Sequence, residues 1–315
     1  MKMKKFLFMA AFGLTASATF TSCEDILGHW EKPTPVTPTP SEPEEESVPG
    51  LLTGKFTINA GGDKVQFSQG NLQAKIASYA PYVATASEWK FAANQYDCIG
   101  NAAGNNSFAV DSWVDLFSWV GTSATNNTYG LITFTSASPA NHGDQDDDVL
   151  KTDWGEAAAS SIGTGWRTLS SAEWTYLFNT RSASSIGTTV NARYAKAKVN
   201  NVQGMILFPD TYTHPDDVTA PTGINATDNT GWNGNDYSAD DWTKMETAGA
   251  VFLPAAGGRN GTSVSSVGSC GFYWSSTANG AGNAYRVYFD SGNMSPADGG
   301  SRVYGVSVRL VRPAE

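Results

Sequence analysis

The chain has 315 residues, 30 of them acidic against 20 Lys and Arg, which gives a formal charge of −10 and a pI near 4.8. That balance excludes a nucleic-acid binder, because phosphate recognition needs a basic face. Charged residues make up 16%, below the usual share of about 25%, while Gly, Ser, Asn, Thr and aromatics are plentiful; the composition predicts a loop-rich β or α+β body with aromatic packing.

The first element in chain order is a leader. Lys2, Lys4 and Lys5 form a basic head, Phe6 to Leu14 an apolar run, and Ala16 to Ser22 a small-residue tail ending at Cys23. This is an export signal over residues 1–22, too short to span a bilayer. Phe20-Thr21-Ser22-Cys23 resembles a relaxed bacterial lipobox, which implies that Cys23 is acylated and becomes the mature N-terminus. Glu24 and Asp25 follow at once and resemble the surface-export signal of Bacteroidetes-type lipoproteins, so an outer-membrane lipoprotein exposed at the cell surface is expected. An ordinary signal peptide with an incidental Cys is the alternative. Residues 23–49 hold a Pro/Thr/Glu-rich stretch, "EKPTPVTPTPSEPEEESVP", with almost nothing to bury, which suits an extended spacer. The membrane is therefore reached through the Cys23 lipid alone.

The head, residues 50–315, suits one large domain or two intimate ones. "KFTINAGGDKVQFSQGNLQ" alternates on both sides of Gly61-Gly62-Asp63, as a hairpin does. "GDQDDD", Gly143 to Asp148, lacks the turn Gly and terminal Glu of an EF-hand, and a solvated acidic loop is the preferred reading over a calcium site. In "GWRTLSSAEWTYLFNTR", Ser170 and Glu173 form a capping box ahead of Trp174, Leu177 and Phe178, which predicts a short amphipathic helix. "GMILFPD" and "GAVFLPAAGGR" read as buried strands, and Asp240 to Thr247 between them as a second helix capped from Ser238 and Asp241. "FYWSST", "AYRVYFD" and "GVSVRLVR" read as three strands at the C-terminal end. Short helices beside a twisted, mostly antiparallel sheet make an α+β head. Cys98 and Cys270 lie far apart in sequence, and whether they pair stays open. With three His, three Cys and no Cys/His ligand spacing, the chain calls for no metal and no cofactor.

Several of these stretches carry a resemblance. Trp89-Lys90-Phe91-Ala92 with Gln95-Tyr96-Asp97, Asp115-Leu116-Phe117, "GWRTLSSAEW", "GMILFPD", "GAVFLPAAGGRNG", "YWSST" and "GVSVRLVR" occur in the order found in the Fibrobacter succinogenes major paralogous domain family. This chain departs from that family in having Ser118 and an extra Val120 after Asp-Leu-Phe. The resemblance implies a C-type-lectin-like fold, close to that of formylglycine-generating enzymes. Those enzymes are similar to one another in a close pair of copper-binding cysteines, and only Cys270 lies in the C-terminal half here. No enzyme is therefore expected. Calcium-dependent lectins of that fold resemble one another in a Glu-Pro-Asn or Gln-Pro-Asp loop and a Trp-Asn-Asp strand. Neither loop occurs, and "WNGND", Trp232 to Asp236, only approximates the strand.

The last expectation concerns the run "DSGNMSPADGGSRVYGVSVRLVR". In "AYRVYFD", Tyr285, Val287 and Phe289 point one way and Arg286, Tyr288 and Asp290 the other, so the first set is predicted as core and the second as display. Val306, Val308 and Leu310 similarly alternate with Ser307 and Arg309. From Thr247 to Ala314 there is no Lys, Glu or Gln, where roughly eight would be expected. These types are among those that cannot be reached by altering the adenines of an AAC codon. The pattern resembles the variable proteins of diversity-generating retroelements, whose C-type-lectin-like domains end in a rewritten region, here about residues 260–312. Carried over by position, the ligand-binding candidates are Gly280, Gly282, Asn283, Arg286, Tyr288, Asp290, Asn293, Ser295, Asp298, Gly299, Gly300, Ser301, Val303 and Tyr304. The resemblance implies a receptor or adhesin for a protein or glycan outside the cell. Tyr and Arg would supply contact area and Ser, Gly and Asn adaptability, as in antibody paratopes. A fixed-sequence structural or adhesive lipoprotein of the same fold, and a formylglycine-generating-type oxidase, are the alternatives.

Overall fold

The structure, a computed structural model, describes residues 48–80, 83–121, 132–133, 150–227, 232 and 234–315. Cys23, the spacer up to residue 47 and the acidic run Gly143 to Asp148 lie outside the described residues.

In chain order the elements are β1 (Phe56–Thr57), β2 (Lys64–Phe67), β3 (Leu72–Ala80), β4 (Val83–Phe91), α1 (Ala103–Ser107), β5 (Trp113–Val114), β6 (Ile132–Thr133), α2 (Trp154–Ala157), α3 (Ala159–Ile162) and α4 (Ser171–Asn179). There follow β7 (Tyr194–Val199), β8 (Val202–Leu207), β9 (Asp236–Tyr237), α5 (Ala239–Thr247), β10 (Val251–Pro254), β11 (Gly258–Asn260) and β12 (Ser263–Ser265). β13 (Gly271–Ala278), β14 (Asn283–Phe289), β15 (Met294–Ser301) and β16 (Val311–Pro313) complete the chain. Small sheets in the orders β1-β2-β16, β5-β3-β4-β6, β10-β8-β7-β9, β11-β12 and β13-β14-β15 give an α+β architecture that is antiparallel except where β9 joins β7. Among the described residues no helix is long and apolar enough to cross a membrane.

Local sequence explains the elements that read clearly. The β1–β2 hairpin pairs Phe56 with Val65 across the Asn59 to Asp63 turn. α4 begins at the expected box, with the Ser170 side chain accepting from the Glu173 N–H and the Glu173 carboxylate accepting from the Ser170 N–H. α5 repeats the device with Ser238 and Asp241.

Two of the cores flank the β13-β14-β15 sheet. Trp174, Leu177 and Phe178 of α4 pack with Tyr273, Val287 and Phe289 against one face. Trp274 and Ala284 face the other way, into a cluster with Phe117, Trp119, Trp154 and Val308. A third cluster sets Trp242 and Met245 of α5 against Ala195, Ala197, Ile206 and Phe252. The Trp274 Nε1–H donates to the Phe117 carbonyl at 2.6 Å, and Gly271 is required by close approach, because a Cβ there would lie 2.0 Å from the Phe289 ring.

The C-terminal stretch differs from the expectation twice. "GVSVRLVR" is not one strand with a buried and a displayed side: Val306 and Ser307 make isolated bridges to Phe117 and Tyr273, regular pairing begins only at Val311, and Ser307 and Arg309 are as buried as Val306, Val308 and Leu310. The physical reason is enclosure on both sides. Leu72 N–H donates to the Val308 carbonyl and Ser68 N–H to that of Leu310, while the Arg309 guanidinium donates to Gln95 Oε1 at 2.6 Å and to Asn71 and Gln69 at 3.4 Å. The supposedly irregular run, in turn, contains β15, paired along Asn283↔Ser301 to Phe289↔Met294. Its register slips between Arg286↔Asp298 and Tyr288↔Ser295, which places one extra residue on β15 as a bulge.

Candidate binding surface

Residues of the predicted display set fall into three groups. Arg286, Tyr288 and Asp298 share the sheet face that carries Phe272, because Phe272 pairs with Tyr288 and Arg286 with Asp298. Their side chains form one stacked layer. The Tyr288 ring lies 5.2 Å from Phe272 at 15°, the Arg286 guanidinium stands 4.3 Å over the Phe272 ring, and Arg286 Nε donates to Asp298 Oδ2 at 2.8 Å. At the end of the layer the Tyr288 hydroxyl donates to Asp290, whose other carboxylate oxygen accepts from the N–H groups of Gly292 and Asn293 at 2.7 Å. The hydrogen bond to Asp290 is the main reason that the Tyr288 phenol is pushed far up. Burial pushes the Asp290 carboxyl up, but the hydrogen bonds from Tyr288, Gly292 and Asn293 outweigh it and hold the carboxyl below its ordinary value.

A cleft of about 270 Å³ opens beside this layer, between Phe272 and Arg286 on one side and the β11–β12 hairpin on the other, with Tyr304 on its rim. Arg259 forms its inner end, 1% exposed, donating to the carbonyls of Gly261 at 3.0 Å and Leu116 at 3.4 Å; burial lowers its guanidinium to about 9. A second concavity of about 410 Å³ is lined by Tyr288, Asn293 and Ser295 with Thr227 and Met294, so the stack separates two hollows.

The second group, Gly280, Gly282, Asn283 and Ser301, sits at the opposite end of the sheet around Arg302. That side chain is buried, 4.5 Å over the Trp119 ring, and donates to the carbonyls of Asn283 at 2.9 Å and Gly280 at 3.0 Å. Gly299 is exposed opposite Tyr285.

The third group corrects the expectation. Gly300 and Val303 are buried and display nothing. Gly300 lies under Arg286, where a Cβ would come within 2.7–2.9 Å of its Nε, Cδ and Cζ. Arg286, Tyr288 and Asp290 are half-buried, not fully displayed, because they pack on one another, and Tyr285 is only half-buried where core was expected. Trp232 and Asn235 of "WNGND" serve structure: Trp232 packs in the core, and the Asn235 amide bonds to Thr222 and to the Lys196 carbonyl. Cys98 and Cys270 are both free thiols, and burial pushes Cys98 up to about 11.

Sequence reasoning missed Phe272, Arg259 and the β11–β12 hairpin as cleft walls. A signal existed for the hairpin: Gly261 with positive φ stands first in a two-residue connection between Asn260 and Ser263, the place that the tightest hairpins reserve for glycine. For Phe272 it was parity, since it lies two residues before Trp274 on the same side of the strand.

A family model described as a domain of unknown function (DUF8237) matches residues 222–311, the stretch that holds β13, β14, β15 and the cleft. Comparison with curated proteins returns no match, and neither does comparison with solved structures.

Proposed function

We propose that the chain is a cell-surface lipoprotein, anchored through an acylated Cys23, whose head has a C-type-lectin-like fold and binds a protein or glycan outside the cell. The binding surface is the stacked layer with its two hollows, and a diversity-generating retroelement rewrites it. One observation carries this: Phe272, Arg286 and Tyr304, from two strands and a loop, line one cleft, Tyr288 and Asp298 pack against Phe272 and Arg286 in the same layer, and Val287 and Phe289, which alternate with Arg286 and Tyr288 along β14, are fully buried. Large aromatic and guanidinium groups over a Gly- and Ser-rich frame have the composition of a recognition surface. No side chain there is arranged as a nucleophile with its base, and binding needs neither metal nor nucleic acid.

Sequencing the locus tests it. A near-identical copy of the C-terminal coding sequence beside a reverse-transcriptase gene is expected. Sister copies should differ at Arg286, Tyr288, Asp290, Asp298 and Tyr304, and agree at Trp274, Val287 and Phe289, where packing fixes the side chain. Gly300 and Val303, having no room, should change little. A locus with no repeat, or with substitutions spread evenly over the head, would leave a fixed-sequence surface lipoprotein.

A further inference from the structure

The hydrogen bonds of Arg286 are lopsided. Its Nε is engaged by Asp298, and 13% of its side chain remains exposed. Among the described residues neither Nη1 nor Nη2 has a hydrogen-bond partner, although the side chain lines the cleft. Asp298 therefore orients the guanidinium from one edge and leaves the two-pronged edge open. That edge matches a carboxylate in a bidentate pair, the strongest arrangement the guanidinium makes.

The surroundings favour an anion. Among the described residues no Asp or Glu lines the cleft, whereas the buried Arg259 lies at its inner end, in a chain whose overall charge is −10. Phe272 and Val306 give it an apolar wall, which suits the methylenes of an acidic side chain. A carboxylate engages both prongs of the Arg286 fork, which only donate, whereas a neutral sugar would draw instead on the hydroxyl and amide groups of Asn260, Ser265, Ser266 and Tyr304. A volume of about 270 Å³ takes one side chain more readily than an oligosaccharide.

We propose that this cleft binds an acidic side chain of a protein ligand, its carboxylate held by Nη1 and Nη2 of Arg286 and its stem lying on Phe272 and Val306. The assignment rests on taking the stacked layer as a binding surface, and it belongs to this copy of the gene, since Arg286 is one of the residues expected to vary. It is independent of the locus: binding through Arg286 without any repeat would keep the cleft and remove the diversification, and a repeat without such binding would do the reverse.

Fluorescence anisotropy with labelled hexaglutamate and hexaglutamine peptides on the purified chain gives the test. Hexaglutamate should bind at least about tenfold more tightly than hexaglutamine. Arg286→Lys, which keeps the charge and loses the fork, should weaken it by about tenfold, and Arg286→Gln should weaken it further. Circular dichroism and melting temperature check that both variants stay folded, and the contrast between the two peptides on the unaltered chain needs no variant. Equal binding of the two peptides, or indifference to Arg286→Lys, would overturn the proposal. Oligogalacturonate binding through Arg286 where hexaglutamate does not would overturn the protein assignment in favour of an acidic glycan.

Discussion

Gly300→Ala should change sign with the residue at position 286. Gly300 has no left-handed backbone to preserve, so the single consequence of a methyl there is its approach to within 2.7–2.9 Å of Arg286. The guanidinium must leave Phe272 and Asp298. Losing the cation–π contact removes about 0.5–1 kcal/mol, and losing a partly exposed ion pair removes about 0.2–1 kcal/mol, together roughly 1–2 kcal/mol. Stiffening the unfolded chain by replacing Gly with Ala returns about 0.4–1 kcal/mol. In the natural background the substitution should therefore be mildly destabilising, and in an Arg286→Ala background stabilising by about 0.4–1 kcal/mol. The coupling energy between the two sites should be roughly 1–2 kcal/mol. Urea denaturation followed by tryptophan fluorescence, on all four members of the cycle, measures it. The same sign and size in both backgrounds would refute the packing of Arg286 over Gly300 and, with it, the shape of the cleft wall.

Trp274→Ala should destabilise the head by about 3–5 kcal/mol, since a fully buried indole leaves a cavity and the Phe117 carbonyl keeps only the Val306 N–H of its two donors; denaturation midpoints check this, and a loss under about 1 kcal/mol would show that the site can collapse. Glu173→Gln should be pH-dependent. Burial pushes the Glu173 carboxyl up, but the bidentate Arg167 pair at 2.7 and 2.9 Å and the Ser170 N–H outweigh it, so its folded value lies below the ordinary 4.5 of a glutamate. Stability from this group is thus present above 4.5 and lost as pH falls through the folded value. Melting curves should separate parent and variant at pH 7 by the equivalent of about 1 kcal/mol and converge in acid; a gap that widens in acid would contradict the capping role.

Where local chemistry decided the outcome, the sequence was legible. Ser170 with Glu173, and Ser238 with Asp241, mark helix starts because the bonds close within one turn. Alternation along β14 correctly assigned Val287 and Phe289 to the core. Arg309 defeated the same logic, because its partners Asn71, Gln69 and Gln95 come from more than 200 residues earlier and no local pattern announces them. β15 was hidden by composition: Ser295, Pro296, Gly299 and Gly300 are poor strand formers, and pairing with β14 overrides that preference. Of the candidate surface, the alternating strand residues were readable. Gly300 and Val303 were not, since whether a small residue is displayed or wedged depends on what lies across from it. The structure establishes the α+β arrangement of the sheets.

The segment from Gly305 to Pro313 reaches Arg259, Phe117, Tyr273, Arg167 and β2, yet it lies downstream of β14 and β15 in the chain. The β13-β14-β15 sheet therefore depends for its fastening on the residues that follow it, and the head stays unclosed until they pair. So many distant pairings imply slow closure. They also mean that a chain cut short before Gly305 would lack every one of these pairings, leaving the faces they cover exposed.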